Sequence, residues 1–217
     1  MSYTVTAKDD VDPSPVVDCK PPSGSTFPLG ATTVTCTATD ASGNAATGSF
    51  TVTVVDTTPP ALSLPAGKVV DATGPAGAAV AYTATAVDLV DPKPVVTCSP
   101  KSGSVFAIGT TTVKCTATDA SGNAKSGSFT VKVKGAAEQL ADLAVEVKGV
   151  GPGRSLAETV ALAQRFVARH RPGEACLTLT AFTLEVRAQS PRRIPAAQAA
   201  ALIADANQIR RVLGCGR

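Results

Sequence analysis

The 217 residues carry a net charge of +3, no Trp and only 4% aromatic residues. So small a charge gives no footprint for nucleic acid, and no run of about 18 apolar residues is present to span a membrane. Val, Ala and Thr build thin cores, so two or three small domains in need of staples are expected, and six cysteines offer them. Disulfides persist in oxidising compartments, so the expected location is extracellular, secreted or at a cell surface. Met1 leads into a polar, strand-like segment rather than a basic region followed by an apolar one.

An internal repeat organises the first part of the chain. Tyr3–Val54 aligns on Tyr82–Val133 at a constant offset of 79, with about 37 of 52 positions identical. So long a repeat buries its own core, which makes each copy a domain. Charge marks the other boundary. Residues 1–134 contain no Arg and no Glu, whereas 135–217 hold all of both, and these are good helix formers. The expected domains are 1–55, 56–134 and 135–217, with Asp56-Thr-Thr-Pro-Pro60 as a stiff joint between the first two.

In chain order, Val17 and Cys19 share one face of a short strand. Thr33–Thr39 alternates strictly, with Val34, Cys36 and Ala38 on one side, and Ser49–Val54 does the same with Phe50, Val52 and Val54. Between them, Asp40-Ala-Ser-Gly43-Asn44 is a turn cluster. Short strands at this spacing predict a β-sandwich. The alternation turns Cys19 and Cys36 inward, and Cys98 and Cys115 in the copy, so the pairs 19–36 and 98–115 are expected. Buried free thiols are the alternative. Zinc is disfavoured because no CxxC occurs and the single histidine is remote.

The spaced set Val16-Val17, Cys19, Ser23-Gly24-Ser25, Phe27, Gly30, Thr33-Val34-Thr35-Cys36, Asp40 and Gly43-Asn44 resembles the hyalin repeat, or HYR domain. Val95–Asn123 and the lead-in Asp56–Pro60 resemble it equally. The resemblance implies an immunoglobulin-like sandwich in an extracellular protein with a role in adhesion. Many members carry a further cysteine near the positions of Gly48 and Gly127, which this chain lacks. Repeat two has Thr57–Ala81 ahead of Tyr82, but repeat one has only Met1 and Ser2 ahead of Tyr3. Repeat one should therefore lack its first strand and show an unpaired edge. It should fray near Tyr3–Val5 or accept a strand from another chain. On this reading the chain is the C-terminal part of a longer protein.

Four helices are predicted beyond Gly135. The first places Leu140, Leu143, Ala144 and Val147 at helical spacing and ends before the glycines of 149–153. Ser155-Leu-Ala-Glu158 reads as a capping box opening the second, which carries Leu156, Val160, Ala163 and Val167 and is ended by Pro172-Gly173. The third spans about 174–189 with Leu179, Phe182 and Val186 inward. The fourth begins near Pro195, carries Leu202, Ala206, Ile209 and Leu213, and is capped by Gly214. Antiparallel packing of the last two would bring Cys176 to Cys215. The run from Ala175 to Cys215 resembles the FIMAH domain, a helical bundle at the C-terminus of bacterial surface and secreted proteins, which implies a bacterial source.

Catalytic constellations are not apparent. His170, the single histidine, lies in Arg169-His170-Arg171 at a helix end, where a cation suits the helix dipole. No GxSxG surrounds a serine. Asp9, Asp10, Asp12 and Asp40, with Asp88, Asp91 and Asp119, could gather around calcium, but aspartates bonding their own turns are the expected reading, with no metal and no cofactor. Carbohydrate recognition lacks exposed flat aromatics. Arg192-Arg193 and Arg210-Arg211 are expected on solvated helix faces. The functional expectation is a non-catalytic adhesion or spacer module, meeting a protein or cell-surface partner. An accessory region of a secreted hydrolase is the alternative.

Overall fold

The computed structural model describes residues 1–216. Repeat one consists of β1 (Val16–Lys20), β2 (Gly30–Thr39) and β3 (Ala45–Val54), an antiparallel sheet in the order β1-β2-β3. Its buried core is Phe27, Val34, Cys36 and Val52, against which Tyr3, Val17, Phe50 and Val54 pack half-exposed.

Repeat two adds strands before and between the same three. These are β4 (Ala61–Ser63), β5 (Lys68–Asp71), β6 (Ala78–Ala79), β7 (Thr85–Val87), β8 (Val95–Ser99), β9 (Val105–Phe106), β10 (Gly109–Thr118) and β11 (Ala124–Lys134). The sheet β5-β11-β10-β8 forms one wall, with β5 parallel to β11, and the pairs β4-β7 and β6-β9 complete an immunoglobulin-like sandwich. β8, β10 and β11 are the counterparts of β1, β2 and β3.

In repeat one the shortfall extends beyond the first strand. Counterparts of β4, β5 and β6 are all absent among the described residues. Two further segments then fail to form strands although their residues are present. Thr6-Ala7-Lys8 aligns on β7, and Thr26-Phe27 on β9, yet neither is a strand. A strand exists only by pairing, and the partners of β7 and β9 are β4 and β6. Residues 1–15 are held instead by backbone hydrogen bonds of Met1 with Gly24 and Ser25 and by side chains. Tyr3 N–H donates to Ser23 Oγ at 3.0 Å, the Tyr3 hydroxyl donates to the Pro21 carbonyl, and the ring packs edge-on to Phe50 with centroids 5.0 Å apart. Tyr82 repeats this arrangement with Ser102, Pro100 and Phe129.

The helical region comprises α1 (Ala136–Glu146), α2 (Ser155–Ala168), α3 (Pro172–Gln189) and α4 (Ala196–Leu213). The predicted apolar stripes meet in one core that includes Leu140, Leu143, Val160, Leu179, Phe182 and Ile209. Two local expectations are corrected. Ser155 is the first helical residue rather than the cap, and its hydroxyl donates to Glu185, so the capping box does not form. Pro172 opens α3 instead of closing α2, because a proline in the first turn loses no helical hydrogen bond. The reversal between α2 and α3 falls on His170, which is exposed and adopts φ +55°. Gly214 caps α4 in the left-handed region at φ +77°, where a side chain would be strained.

The bundle docks on repeat two. Gln139, buried in α1, donates to the carbonyls of Ala72 (3.1 Å) and Lys134 (2.9 Å), and Gln208 of α4 donates to Ala72 as well (3.2 Å). Lys134 pairs with Asp142 at 2.7 Å, and Val212 joins the core of the sandwich.

Candidate functional site

The chemistry-bearing residues of this chain are its cysteines, its aspartates and the strand edges, and the structure separates them. Cys19 and Cys36 face each other across β1 and β2 and are bonded, with Cα atoms 4.0 Å apart; Cys98 and Cys115 are bonded across β8 and β10 at 4.1 Å. Cys176, in the first turns of α3, is bonded to Cys215 after α4, with Cα atoms 5.7 Å apart. These bridges are staples within one sheet or one bundle, and no free thiol occurs among the described residues.

The site with an unfilled role is the face of repeat one behind the Cys19–Cys36 bridge. In β3, Gly48 lies opposite Cys36; in β11, Gly127 lies opposite Cys115. The surroundings of these paired glycines differ. A Cβ placed on Gly127 would meet Leu64 at 2.8 Å and Leu62 at 3.5 Å, because the segment of β4 presses both leucines onto the sheet. A Cβ on Gly48 would meet nothing within 4 Å. The space is a cleft of about 340 Å³ bordered by Val5, Val17, Ala38, Gly48 and Phe50. Each apolar wall loses its cover accordingly. Phe129 and Ala117 are buried, whereas Phe50 and Ala38 are only half-buried.

Beside the cleft runs an edge. Repeat two pairs Val131–Lys134 of β11 with Lys68–Asp71 of β5, but the aligned Val52–Val55, paired through β3 to β2 on one side, has no strand on its outer side among the described residues. Val55 is 67% exposed. Backbone donors and acceptors next to an apolar slot suit an incoming strand: the edge gives hydrogen bonds and the slot gives side-chain selection. Apolar and threonine side chains dominate its lining, and it contains no ionisable group.

The aspartates singled out by sequence mostly serve their own turns. Asp9 Oδ1 accepts from the N–H of Val11 and Asp12, and Asp12 and Asp91 accept from Ala41 and Ala120 across the neighbouring turn. Asn44 bonds Asp40 and holds its carboxyl below the usual range. Asp88 and Asp119, however, meet Asp56 of the linker. Asp56 was not singled out from sequence; its place beside the paired prolines, 32 residues from the nearest of the other two, gives no local signal. Arg192, Arg193 and Arg211 are exposed, whereas Arg210 is half-buried and donates to Asn207 at 3.2 Å.

The sequence model of the HYR domain matches residues 1–54 and 55–133, more than half of the chain. Hyalin of Strongylocentrotus purpuratus is 44% identical over 116 residues, which cover 51% of this chain and 10% of hyalin. The sushi, von Willebrand factor type A, EGF and pentraxin domain-containing protein 1 of Rattus norvegicus is 36% identical over 113 residues, covering 50% of this chain and 3% of that protein. The chain thus spans a small part of the curated relatives it matches, and both are animal proteins. Among solved structures, the fibronectin(III)-like modules of Clostridium thermocellum CbhA are similar over 59% of this chain and 82% of that one, with 18% identity and a TM-score of 0.27.

Proposed function

Because the chain belongs to the HYR domain family, we propose that it is a non-catalytic adhesion or spacer module of an extracellular protein, whose first repeat accepts a strand. The observation that carries this reading is the open cleft at Gly48 beside the bare edge of β3, set against the same position filled by Leu62 and Leu64 in repeat two. The occupant of matching chemistry is an extended segment with two leucines in alternation, as in Ala61-Leu62-Ser63-Leu64. Burying each leucine contributes roughly 1.5–3 kcal/mol, enough to select such a segment over a polar one. The three disulfides support an oxidising location. Repeat two and the bundle, joined through Gln139, Gln208 and Val212, form the stiff part of the module, and residues 135–217 act as a FIMAH-like capping unit. The relatives are animal proteins and none bears the name of a hydrolase, so neither a bacterial source nor a hydrolase's accessory region draws support from them.

A synthetic peptide spanning residues 57–81 tests the reading. Added to the chain, it should slow amide exchange along β3 and in Tyr3–Ala7, and a peptide with Leu62→Ala and Leu64→Ala should bind at least about tenfold more weakly. Unchanged exchange at saturating peptide would remove the strand-acceptor role.

A further inference from the structure

Asp56, Asp88 and Asp119 come from three separate places: the linker after β3, the turn after β7 and the turn after β10. One carboxylate oxygen of each lies within 4.8 Å of the other two. Among the described residues no lysine or arginine forms an ion pair with any of them. Three acids at this spacing repel one another, more strongly as water is excluded, and Asp119 is only 7% exposed.

The hydrogen bonds do not account for the whole arrangement. Asp119 accepts from the backbone and side-chain N–H groups of Asn123 at 2.7 and 2.9 Å. Asp88 Oδ1 accepts from the N–H groups of Val90 and Asp91 at 2.9 and 2.8 Å. Asp56 Oδ1 accepts from Thr58 at 3.0 Å. Its Oδ2, by contrast, is completely buried and receives no hydrogen bond. A buried carboxylate oxygen without a donor is costly unless a cation meets it. The linker is held in this place independently, since Asn123 Nδ2 also donates to the Asp56 carbonyl at 3.0 Å.

We propose that Asp56, Asp88 and Asp119 bind one calcium ion, which fastens the linker between the two repeats to the second. The donors are all hard oxygens, which excludes the nitrogen and sulfur preference of zinc. One of the three sits on a linker rather than in a rigid frame, and calcium tolerates the irregular geometry that magnesium does not; water completes its six to eight ligands. Repeat one supplies an internal control. Asp9 and Asp40 occupy the places of Asp88 and Asp119 and make the same turn bonds, but no third acid joins them among the described residues. The site does not depend on the strand-acceptor reading.

Calorimetric titration of the full, calcium-depleted chain with CaCl2 tests it. One ion should bind, with a dissociation constant on the order of 10⁻⁴–10⁻³ M as in other extracellular modules, and more tightly than Mg²⁺. Asp56→Asn should weaken binding at least about tenfold by removing a charged ligand, whereas Asp9→Asn should leave it unchanged. If Asp56→Asn fails to fold, Asp88→Asn takes its place, since an asparagine keeps the acceptor that holds the turn. Absence of saturable binding by the wild-type chain at about 10 mM Ca²⁺, or wild-type affinity in the Asp56→Asn or Asp88→Asn chain, overturns the proposal.

Discussion

Repeats one and two share about 37 of 52 residues and yet differ in kind: one is a lone three-stranded sheet, the other a closed sandwich. Almost every difference traces to a single segment, residues 57–81, which among the described residues packs on repeat two alone. That segment pairs with β7, β9 and β11, covers Gly127 with leucines and completes the core with Ala72, Ala78 and Val80. The comparison teaches that much of a sandwich's secondary structure is a loan from one strand-rich segment. It also shows why repeat one leans on its disulfide and on the Tyr3–Ser23–Pro21 contacts, while repeat two is supported on three sides.

The sharpest test removes each staple in turn. Cys19→Ala with Cys36→Ala, and Cys98→Ala with Cys115→Ala, delete bridges of the same sequence separation of 17, each contributing about 3 kcal/mol on the chain-entropy model. Repeat one should lose amide protection throughout β2 and β3, whereas repeat two should weaken and stay folded. Equal loss in both, read by hydrogen exchange with mass spectrometry, would break the comparison.

Filling and emptying the paired slots comes next. Leu64→Ala should cost repeat two about 2 kcal/mol, since it removes part of the cover over Gly127. Gly48→Leu places apolar bulk where a Cβ meets nothing, at a φ that is not left-handed, and should raise repeat one's stability by about 1 kcal/mol. Denaturant midpoints of the two variants moving in the same direction would contradict the picture.

In the unmodified chain, amides of β2 should exchange about tenfold faster than those 79 residues on, the expected consequence of a thinner cover. Equal protection in a dilute monomer would mean that the three-stranded sheet is as secure by itself as the closed sandwich.

The smallest expected effect concerns the buttress that only repeat two has. Glu146 lines a cleft of about 430 Å³ between repeat two and the bundle, together with Asp71, Asp142 and Asp205. Burial first, and then the charge of Asp205, push its carboxyl above the usual range. A carboxyl raised on folding favours the folded chain at pH below its unfolded value, and that benefit is lost as pH rises through the folded one. Glu146→Gln should therefore raise the melting temperature slightly at about pH 7, with the gain fading as pH falls through the glutamate range. A gain that grows in acid would show the sign to be wrong.

What could be read from residues alone was local and periodic. Alternation located β2, β3, β10 and β11, because one buried face imposes a period of two. The same alternation turned Cys19 and Cys36 to one side, and the structure joins them and their copies. Helical stripes such as Leu156-Val160-Ala163 were legible for the corresponding reason, and the HYR motifs pointed to the family. Everything that needed a distant partner was decided by tertiary structure. Thr6–Lys8 and Thr26–Phe27 nearly copy β7 and β9 but form no strand, since a ladder requires a neighbour and none lies beside them among the described residues. Ser155 forgoes its cap for Glu185 on another helix, and Pro172 starts a helix that local punctuation placed two residues later. Asp56 stands far from Asp88 and Asp119 in the chain, and only the closing of the second sandwich against its linker brings the three carboxylates together.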